Sequence, residues 1–176
     1  MVGSKNLDPE TFDDATDSIL FVLPPGNGGF PRSLIKYRGV LYVFHDDYFV
    51  PISGSTPATF AIRPGDISEG FGTNAPRSVI IVKNSIGFLN SKDNEYYITQ
   101  GSSESIDNIP LSHEIQLGEL INPVKSSDTV AHFDPDLNAI RIAYYPSGGT
   151  TLGDEEIYYL SEQKWCGQTR GRNISC

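Results

Sequence analysis

The chain has 176 residues, a formal net charge of −9 at pH 7, and 11% aromatic residues. This acidity argues against a nucleic-acid partner, because binding phosphates requires clustered Lys and Arg side chains. Nine Tyr and nine Phe favour an ordered, β-rich protein over a disordered chain. The longest apolar run, residues 19–23, is far too short to span a bilayer, so we expect no membrane span.

The N-terminal segment is acidic. Residues 1–17 contain five carboxylates and few apolar side chains, which predicts a flexible arm that orders, if at all, on a partner. The segment lacks the basic start and the apolar run of a signal peptide, which predicts synthesis in a reducing cytoplasm. Two cysteines, Cys166 and Cys176, are too few for a disulfide framework, so we expect both to be free thiols.

The first repeat unit is predicted to cover residues 18–65. Its apolar runs are four to six residues long, are rich in β-branched and aromatic residues, and are bounded by turn formers. These runs predict strands at residues 33–37, 40–44, 48–52 and 58–62. Four consecutive strands joined by hairpins are the makeup of one propeller blade.

The second unit is predicted to cover residues 66–117. Its strands are expected at residues 78–82, 86–89 and 95–99. Residues 105–115 are less regular, and we expect Ile109 and Leu111 to supply a short outer strand. The only helical pattern in the chain covers residues 114–120.

The third unit is predicted to cover residues 118–166. Its strands are expected at residues 129–133, 139–145 and 154–160, with a fourth near Trp165. Residues 134–138 are interpreted as a hairpin turn, although Asp134, Asp136 and Asn138 have the spacing of a calcium loop. The glycine and the distal glutamate that such a loop needs are missing. Residues 167–176 form a polar C-terminal tail.

Two stretches of the chain are copies of each other. Residues 31–35 read Pro-Arg-Ser-Leu-Ile and residues 76–80 read Pro-Arg-Ser-Val-Ile, so Arg32 and Arg77 are 77 − 32 = 45 positions apart. A period of about 40–50 residues made of short strands indicates propeller blades. We therefore predict an all-β fold, a partial β-propeller-like array of about three four-stranded antiparallel blades. Its interiors should contain Leu41, Val43, Val79, Ile81, Phe88, Ile140, Ile142 and Ile157.

The residues that could take part in catalysis or metal binding are scattered along the sequence. The three histidines, His45, His113 and His132, do not stand at metal-ligand spacing from one another or from a cysteine. Ser33 and Ser78 follow the repeated arginines without the surroundings of a catalytic serine. Residues 154–156, Asp-Glu-Glu, are expected to be a solvated strand start. We therefore predict no catalytic residues, no metal and no cofactor.

Three tyrosine pairs suggest an interaction surface. Residues 96–97, 144–145 and 158–159 each place one ring on either face of a strand, so one ring should lie inside and the other at the surface. Tyr is enriched at protein interfaces. The candidate interface residues are Tyr97, Tyr145, Tyr159 and Trp165.

The order of the motifs resembles one protein family. Leu-Tyr-Val-Phe at residues 41–44 precedes Ile-Ser-Gly at 52–54, Gly-Thr-Asn-Ala-Pro-Arg-Ser-Val follows at 72–79, and Ile-Tyr-Tyr-Leu at 157–160 leads to Trp165. Across residues 18–166 this order resembles the β-propeller region of the tail nozzle (tail tubular) proteins of tailed bacteriophages. The resemblance implies a virion structural protein that is made in the host cytoplasm and assembles into the tail as a nozzle, hub or adaptor component.

The chain is shorter than nozzle proteins and has about three blades, whereas a propeller closes with at least four. It must therefore associate with itself, complete the propeller of a neighbour, or be part of a longer protein. The partners expected are further copies of the chain or other phage tail proteins. Two alternatives remain open at this point: a carbohydrate- or receptor-binding propeller module with outward tyrosines as sugar platforms, and a glycosidase-like enzyme.

Overall fold

The computed structural model describes residues 29–55, 59–62, 67–102, 105–107, 109–169 and 172–173. The predicted acidic arm, residues 1–17, lies outside this part of the chain. The described residues form an all-β fold of three antiparallel sheets that follow one another along the chain, with short helical turns between the second and the third.

The first sheet is a meander in the order β1 (Ser33–Tyr37), β2 (Val40–Phe44), β3 (Tyr48–Ser53) and β4 (Ala61–Ile62). A further short strand, β5 (Ser68–Glu69), also pairs with β3. Arg38 and Gly39 join β1 to β2 with positive φ angles of 48° and 81°, the conformation of a two-residue hairpin turn. The predicted strands at residues 33–37 and 40–44 are confirmed.

The second sheet contains β6 (Ile80–Val82), β7 (Ser85–Leu89) and β8 (Tyr96–Thr99), in that order. The predicted outer strand around Ile109 and Leu111 is wrong. No strand is formed by the described residues of that stretch, which continue into a 3₁₀ turn at His113–Ile115 and one helical turn, α1 (Leu117–Leu120). Pro110 lacks an N–H group, and the carbonyl of Leu111 accepts a hydrogen bond from the Trp165 indole, so this backbone does not form a ladder with β8.

The third sheet follows a 3₁₀ segment at Pro123–Asp128. Its strands are β9 (Val130–Asp134), β10 (Ala139–Tyr144), β11 (Asp154–Tyr159), β12 (Lys164–Thr169) and β13 (Arg172–Asn173). They lie in the sheet in the order β13-β12-β11-β10-β9. The polar segment that begins at residue 167 thus includes the end of β12 and all of β13.

The middle sheet is covered on both faces. Phe88 and Tyr97, which are paired across β7 and β8, pack in one apolar cluster with Phe44 and Phe49 of the first sheet. Leu89 and Tyr96, the next pair, lie on the opposite face in a second cluster. This second cluster also contains Ile140, Ile142, Tyr144, Tyr158 and Trp165 of the third sheet. The period-two alternation of side chains along β7 and β8 therefore joins all three sheets into one stack.

Most of the predicted interior residues are buried: Val43, Phe88, Ile140, Ile142 and Ile157 are confirmed. Leu41 and Val79 are partly buried. The prediction for Ile81 is wrong, because its side chain is 43% exposed. β6 begins two residues later than predicted, after a 3₁₀ turn at Pro76–Ser78, and its alternation directs Ile80 and Val82 towards the third sheet.

Cys166 is disulfide-bonded, so the prediction of a free thiol at this position is wrong. Its side chain is buried on β12, next to Trp165. A cysteine count too low for a disulfide framework does not exclude a single bond, which is why the prediction failed. Cys176, the other cysteine of the chain, lies outside the described residues.

The helices of the described part of the chain are short, and none has the length and apolar character needed to cross a membrane.

Candidate functional site

A pocket of about 660 Å³ lies at the outer edge of the middle sheet, where β8 approaches β11 and β12 of the third sheet. We call it the rim pocket. Its apolar wall is formed by Tyr97, Ile98, Ile109, Leu111, Tyr158 and Trp165. Its polar side chains are Asp107, His113, Glu114 and Gln163. Pockets of about 300–1,000 Å³ with apolar walls and a few polar groups are typical ligand sites.

The aromatic wall is set by the β11–β12 hairpin. Tyr158 and Trp165 are directly opposite each other in this pair of strands, and their ring centroids are 5.0 Å apart. The Trp165 indole donates a hydrogen bond from Nε1 to the carbonyl oxygen of Leu111 at 2.9 Å. Because this bond satisfies the only polar group of the indole, the Trp165 ring can lie 93% buried without a desolvation penalty.

The opposite wall is held to the middle sheet by Ser112, which is fully buried. The Tyr96 N–H donates to Ser112 Oγ at 2.8 Å, and the Ser112 hydroxyl donates in turn to Glu95 Oε2. The other oxygen of Glu95 accepts a hydrogen bond from the N–H of Gly118 at 3.0 Å. One serine and one glutamate thereby fix the segment around residues 111–118 against β8.

The rim pocket is electronegative. Among the residues that the structure describes, its lining includes the carboxylates of Asp107 and Glu114 and contains no Lys or Arg. Burial raises the pKa of the Tyr158 phenol, and the nearby negative charge of Glu114 raises it further. Burial likewise raises the pKa of Tyr97, whose hydroxyl donates to Asp93 Oδ2 at 2.8 Å. Both phenols are therefore neutral at physiological pH, and the net charge at the pocket is negative.

Two of the four candidate interface residues meet in this pocket. Tyr97 and Trp165 both line it, and both are 7% exposed. Tyr159 is half-buried on the opposite face of the third sheet from Tyr158. Tyr145 is also half-buried, with Lys125 Nζ 5.7 Å from its ring centroid. Neither Tyr159 nor Tyr145 belongs to the rim pocket.

Of the residues that line the pocket, sequence reasoning named only Tyr97 and Trp165 as site residues. Tyr158 could have been found by pairing β11 with β12 across their short turn, because that register places Tyr158 opposite Trp165. Leu111 and Glu114 gave no such signal, since they reach the pocket through an irregular segment whose position depends on tertiary hydrogen bonds.

Arg32 and Ser78 of the repeated Arg-Ser pairs form structural contacts. Arg32 forms an ion pair with Asp46, with Nε 2.6 Å from Oδ1. Ser78 is fully buried, donates to the carbonyl of Ala75 at 2.7 Å, and accepts from the N–H of Leu89 at 3.0 Å. Arg77 is exposed. The two copies therefore share a sequence pattern but not a side-chain environment.

The acidic motifs of the third sheet form local contacts. Asp134 Oδ1 accepts hydrogen bonds from the N–H groups of Asp136 and Leu137, both at 3.1 Å, which confirms the predicted hairpin turn. These bonds and Arg141 hold the pKa of Asp134 below its usual value. Arg141 also binds both carboxylate oxygens of Glu155 at 2.8 Å. No group of three or more metal-ligating side chains is found among the residues that the structure describes.

Comparison with protein-family models gives no match, and comparison with curated proteins gives none either.

Proposed function

We propose that the chain is a non-enzymatic structural protein of a bacteriophage tail, a nozzle, hub or adaptor component that acts by oligomeric assembly. The arrangement of the three sheets carries this proposal. One apolar cluster joins the first sheet to the middle sheet, and a second joins the middle sheet to the third. Neither of these clusters joins the first sheet to the third. Three consecutive blades of a partial β-propeller would stack in this way.

An arc of three blades has two ends. At the first end, Leu34 on the edge strand β1 is 59% exposed and lies on the face opposite the middle sheet. At the other end, the outer face of the third sheet carries Arg141 with Glu155 and Asp134. The exposed side chains of the two ends differ, since Leu34 and Lys36 lie at one end and the ion pairs of Arg141 at the other. Contacts between unlike surfaces suit such ends better than a two-fold contact between identical ones.

The assignment to a bacteriophage tail rests on the resemblance of the motifs to those of tail nozzle proteins. In the structure these motifs lie at different places in the sheets, since residues 41–44 lie in β2, residues 72–79 lead into β6, and residues 157–160 include the end of β11. The resemblance therefore rests on the order of the motifs along the chain. The alternative of a sugar-binding module with outward tyrosines has less support, because Tyr97 is buried and packs against the rings of Phe71 and Phe88.

Size-exclusion chromatography with light scattering over a concentration series tests the assembly. We expect a mass above the 19.3 kDa of one chain that rises with concentration. Leu34→Glu should lower the mass because it replaces the exposed apolar side chain at the first end with a carboxylate. The matched control is Leu137→Glu, at a position in the turn after β9 where the native side chain is 44% exposed. This variant should leave the mass unchanged. A mass of 19.3 kDa throughout, with a cooperative thermal transition, would reject the proposal.

A further inference from the structure

The middle sheet ends in β8, whose outer edge is occupied by Ser112 at Tyr96 and has no hydrogen bond to a described residue at Ile98. Asn90 N–H donates to the Glu95 carbonyl at 2.9 Å, so the backbone groups of Glu95 face β7. In an antiparallel pair this direction alternates, which turns the N–H and C=O groups of Tyr96 and Ile98 away from β7. Ser112 accepts from the Tyr96 N–H. Among the described strands none pairs with β8 on this side.

The rim pocket lies against the same edge. Ile98 and Tyr97 of β8 line it on one side, and Leu111, Tyr158 and Trp165 line it on the other. An added strand lies about 4.8 Å from its neighbour and directs alternate side chains to one face of the sheet. A strand added to β8 would therefore direct every second side chain towards the aromatic wall of the pocket.

The negative charge of the pocket favours an added strand that carries a cationic side chain. The described lining residues include the carboxylates of Asp107 and Glu114 and no Lys or Arg, and the whole chain has a net charge of −9. A cationic side chain that enters the pocket would meet carboxylates and the faces of Tyr158 and Trp165. Both kinds of contact favour Arg or Lys.

We propose that the outer edge of β8 at Ile98 binds an extended segment of a partner protein by strand addition, with an Arg or Lys of that segment in the rim pocket. Main-chain hydrogen bonds to the Ile98 edge would supply affinity, and the pocket would supply selectivity. This inference rests on the assembly function proposed above, for which it names one docking surface and the chemistry of the partner.

Trp165 is the only tryptophan of the chain, so its fluorescence reports directly on the pocket. The first probe is a capped peptide of alternating Thr and Val with one central Arg. The second has Glu in place of the Arg, and the third keeps the Arg but carries N-methyl groups on alternate backbone nitrogens. A chito-oligosaccharide is the fourth probe, for a sugar site.

We expect saturable binding of the Arg peptide, at least tenfold weaker binding of the Glu peptide, and no binding of the N-methylated peptide. Glu114→Gln should weaken binding of the Arg peptide by about 1.5-fold to fivefold, the range of an exposed charge pair. Glu69→Gln removes an exposed charge from the first sheet and is the matched control, with unchanged binding expected.

Equal binding of the Arg and Glu peptides, undiminished binding of the N-methylated peptide, or no peptide binding up to millimolar concentration would each overturn the inference. Binding of the oligosaccharide alone would reassign the pocket to a sugar. Light scattering on the same samples separates the two proposals: self-association without peptide binding rejects only the strand-addition site, and a monomer that binds the Arg peptide rejects only the end-to-end assembly.

Discussion

Tyr96 and Tyr97 are consecutive residues of β8, but their rings lie in different interfaces. Tyr97 packs against Phe88 and Phe71 between the first and the middle sheet. The ring of Tyr96, which is fully buried, lies between the middle and the third sheet, where its hydroxyl donates to the carbonyl of Ser78 at 3.2 Å. The expectation that one ring of this pair lies at the surface is therefore wrong. A strand in the middle of a three-sheet stack buries both of its faces.

Replacing Phe88 with Ala should destabilise the whole stack. The Phe88 ring is fully buried, with the ring centroids of Phe44 and Phe49 at 5.2 and 6.1 Å. Removing a buried Phe leaves a cavity between two sheets, and the expected loss is about 3–5 kcal/mol in the free energy of unfolding. Urea denaturation measures it. Ile81→Ala, at a 43% exposed position of the same sheet, should cost less than about 1 kcal/mol.

If Phe88→Ala costs as little as Ile81→Ala, the Phe88 ring is not packed between the first and the middle sheet, and the stacking of these two sheets is wrong. A one-residue shift of the strand would not produce this result, because it would move Phe88 to the other face, which is also buried.

Replacing Ser112 with Ala should loosen the wall of the rim pocket. The Ser112 hydroxyl accepts from the Tyr96 N–H and donates to Glu95, and both bonds are lost in the variant. Leaving a buried N–H without its acceptor costs about 1–3 kcal/mol. We also expect the Trp165 emission maximum to move to longer wavelength, because Leu111, which accepts the bond from the indole, is the residue next to Ser112. The exposed Ser127→Ala is the control and should change neither property.

Replacing Gly72 with Ala tests the contact between the first sheet and the loop that leads into the second. A Cβ atom at Gly72 would overlap the backbone of Asp46 and Asp47 in the β2–β3 turn. The N–H of Thr73 donates to the His45 carbonyl at 2.7 Å across the same contact. The overlap must be relieved by a shift of the backbone, which should cost about 1–3 kcal/mol. A variant as stable as the native chain in urea would show that this contact adapts freely.

The sequence predicted the strands well wherever hairpins are local. The first two strands match their predicted bounds because their turn, Arg38-Gly39, specifies its own geometry. The outer strand at Ile109 and Leu111 could not be excluded in advance, because what prevents it is the bond from Trp165, 54 residues away in sequence from Leu111. Likewise, three residues of the rim pocket come from the β11–β12 hairpin, two from β8 and six from the irregular segment between β8 and α1. Only the strands have a periodic signal.

Residues 154–156 were expected to be solvated, but Glu156 is buried at 7% exposure. It lies opposite Gly167, where a Cβ atom would come within 2.8 Å of Glu156 Oε2, so the glycine makes room for the carboxylate. The Tyr144 hydroxyl donates to Oε1 at 3.2 Å. Burial raises the pKa of Glu156 above its usual value, the charge of Asp154 adds to this, and the bond from Tyr144 opposes it.

Glu156→Gln should therefore stabilise the protein at neutral pH. Because the native pKa is raised, the folded chain binds more protons than the unfolded chain between the ordinary pKa of about 4.3 and the native value. Stability accordingly falls as pH rises through this window, and the cost of the buried charge is complete above it. The glutamine still accepts the Tyr144 bond and carries no charge, so the advantage of the variant should be greatest at neutral pH and vanish below about pH 4.

Urea midpoints measured from pH 3 to pH 8 for the native chain, for Glu156→Gln and for Glu155→Gln test this prediction. Glu155→Gln is the matched control, because it removes the charge that pairs with Arg141 on the outer face of the third sheet. It should lower stability at neutral pH by up to about 1 kcal/mol, opposite in sign to Glu156→Gln. A stability difference between the native chain and Glu156→Gln that stays constant across the pH range would mean that Glu156 titrates at its ordinary pKa and that its carboxylate is solvated in the folded protein.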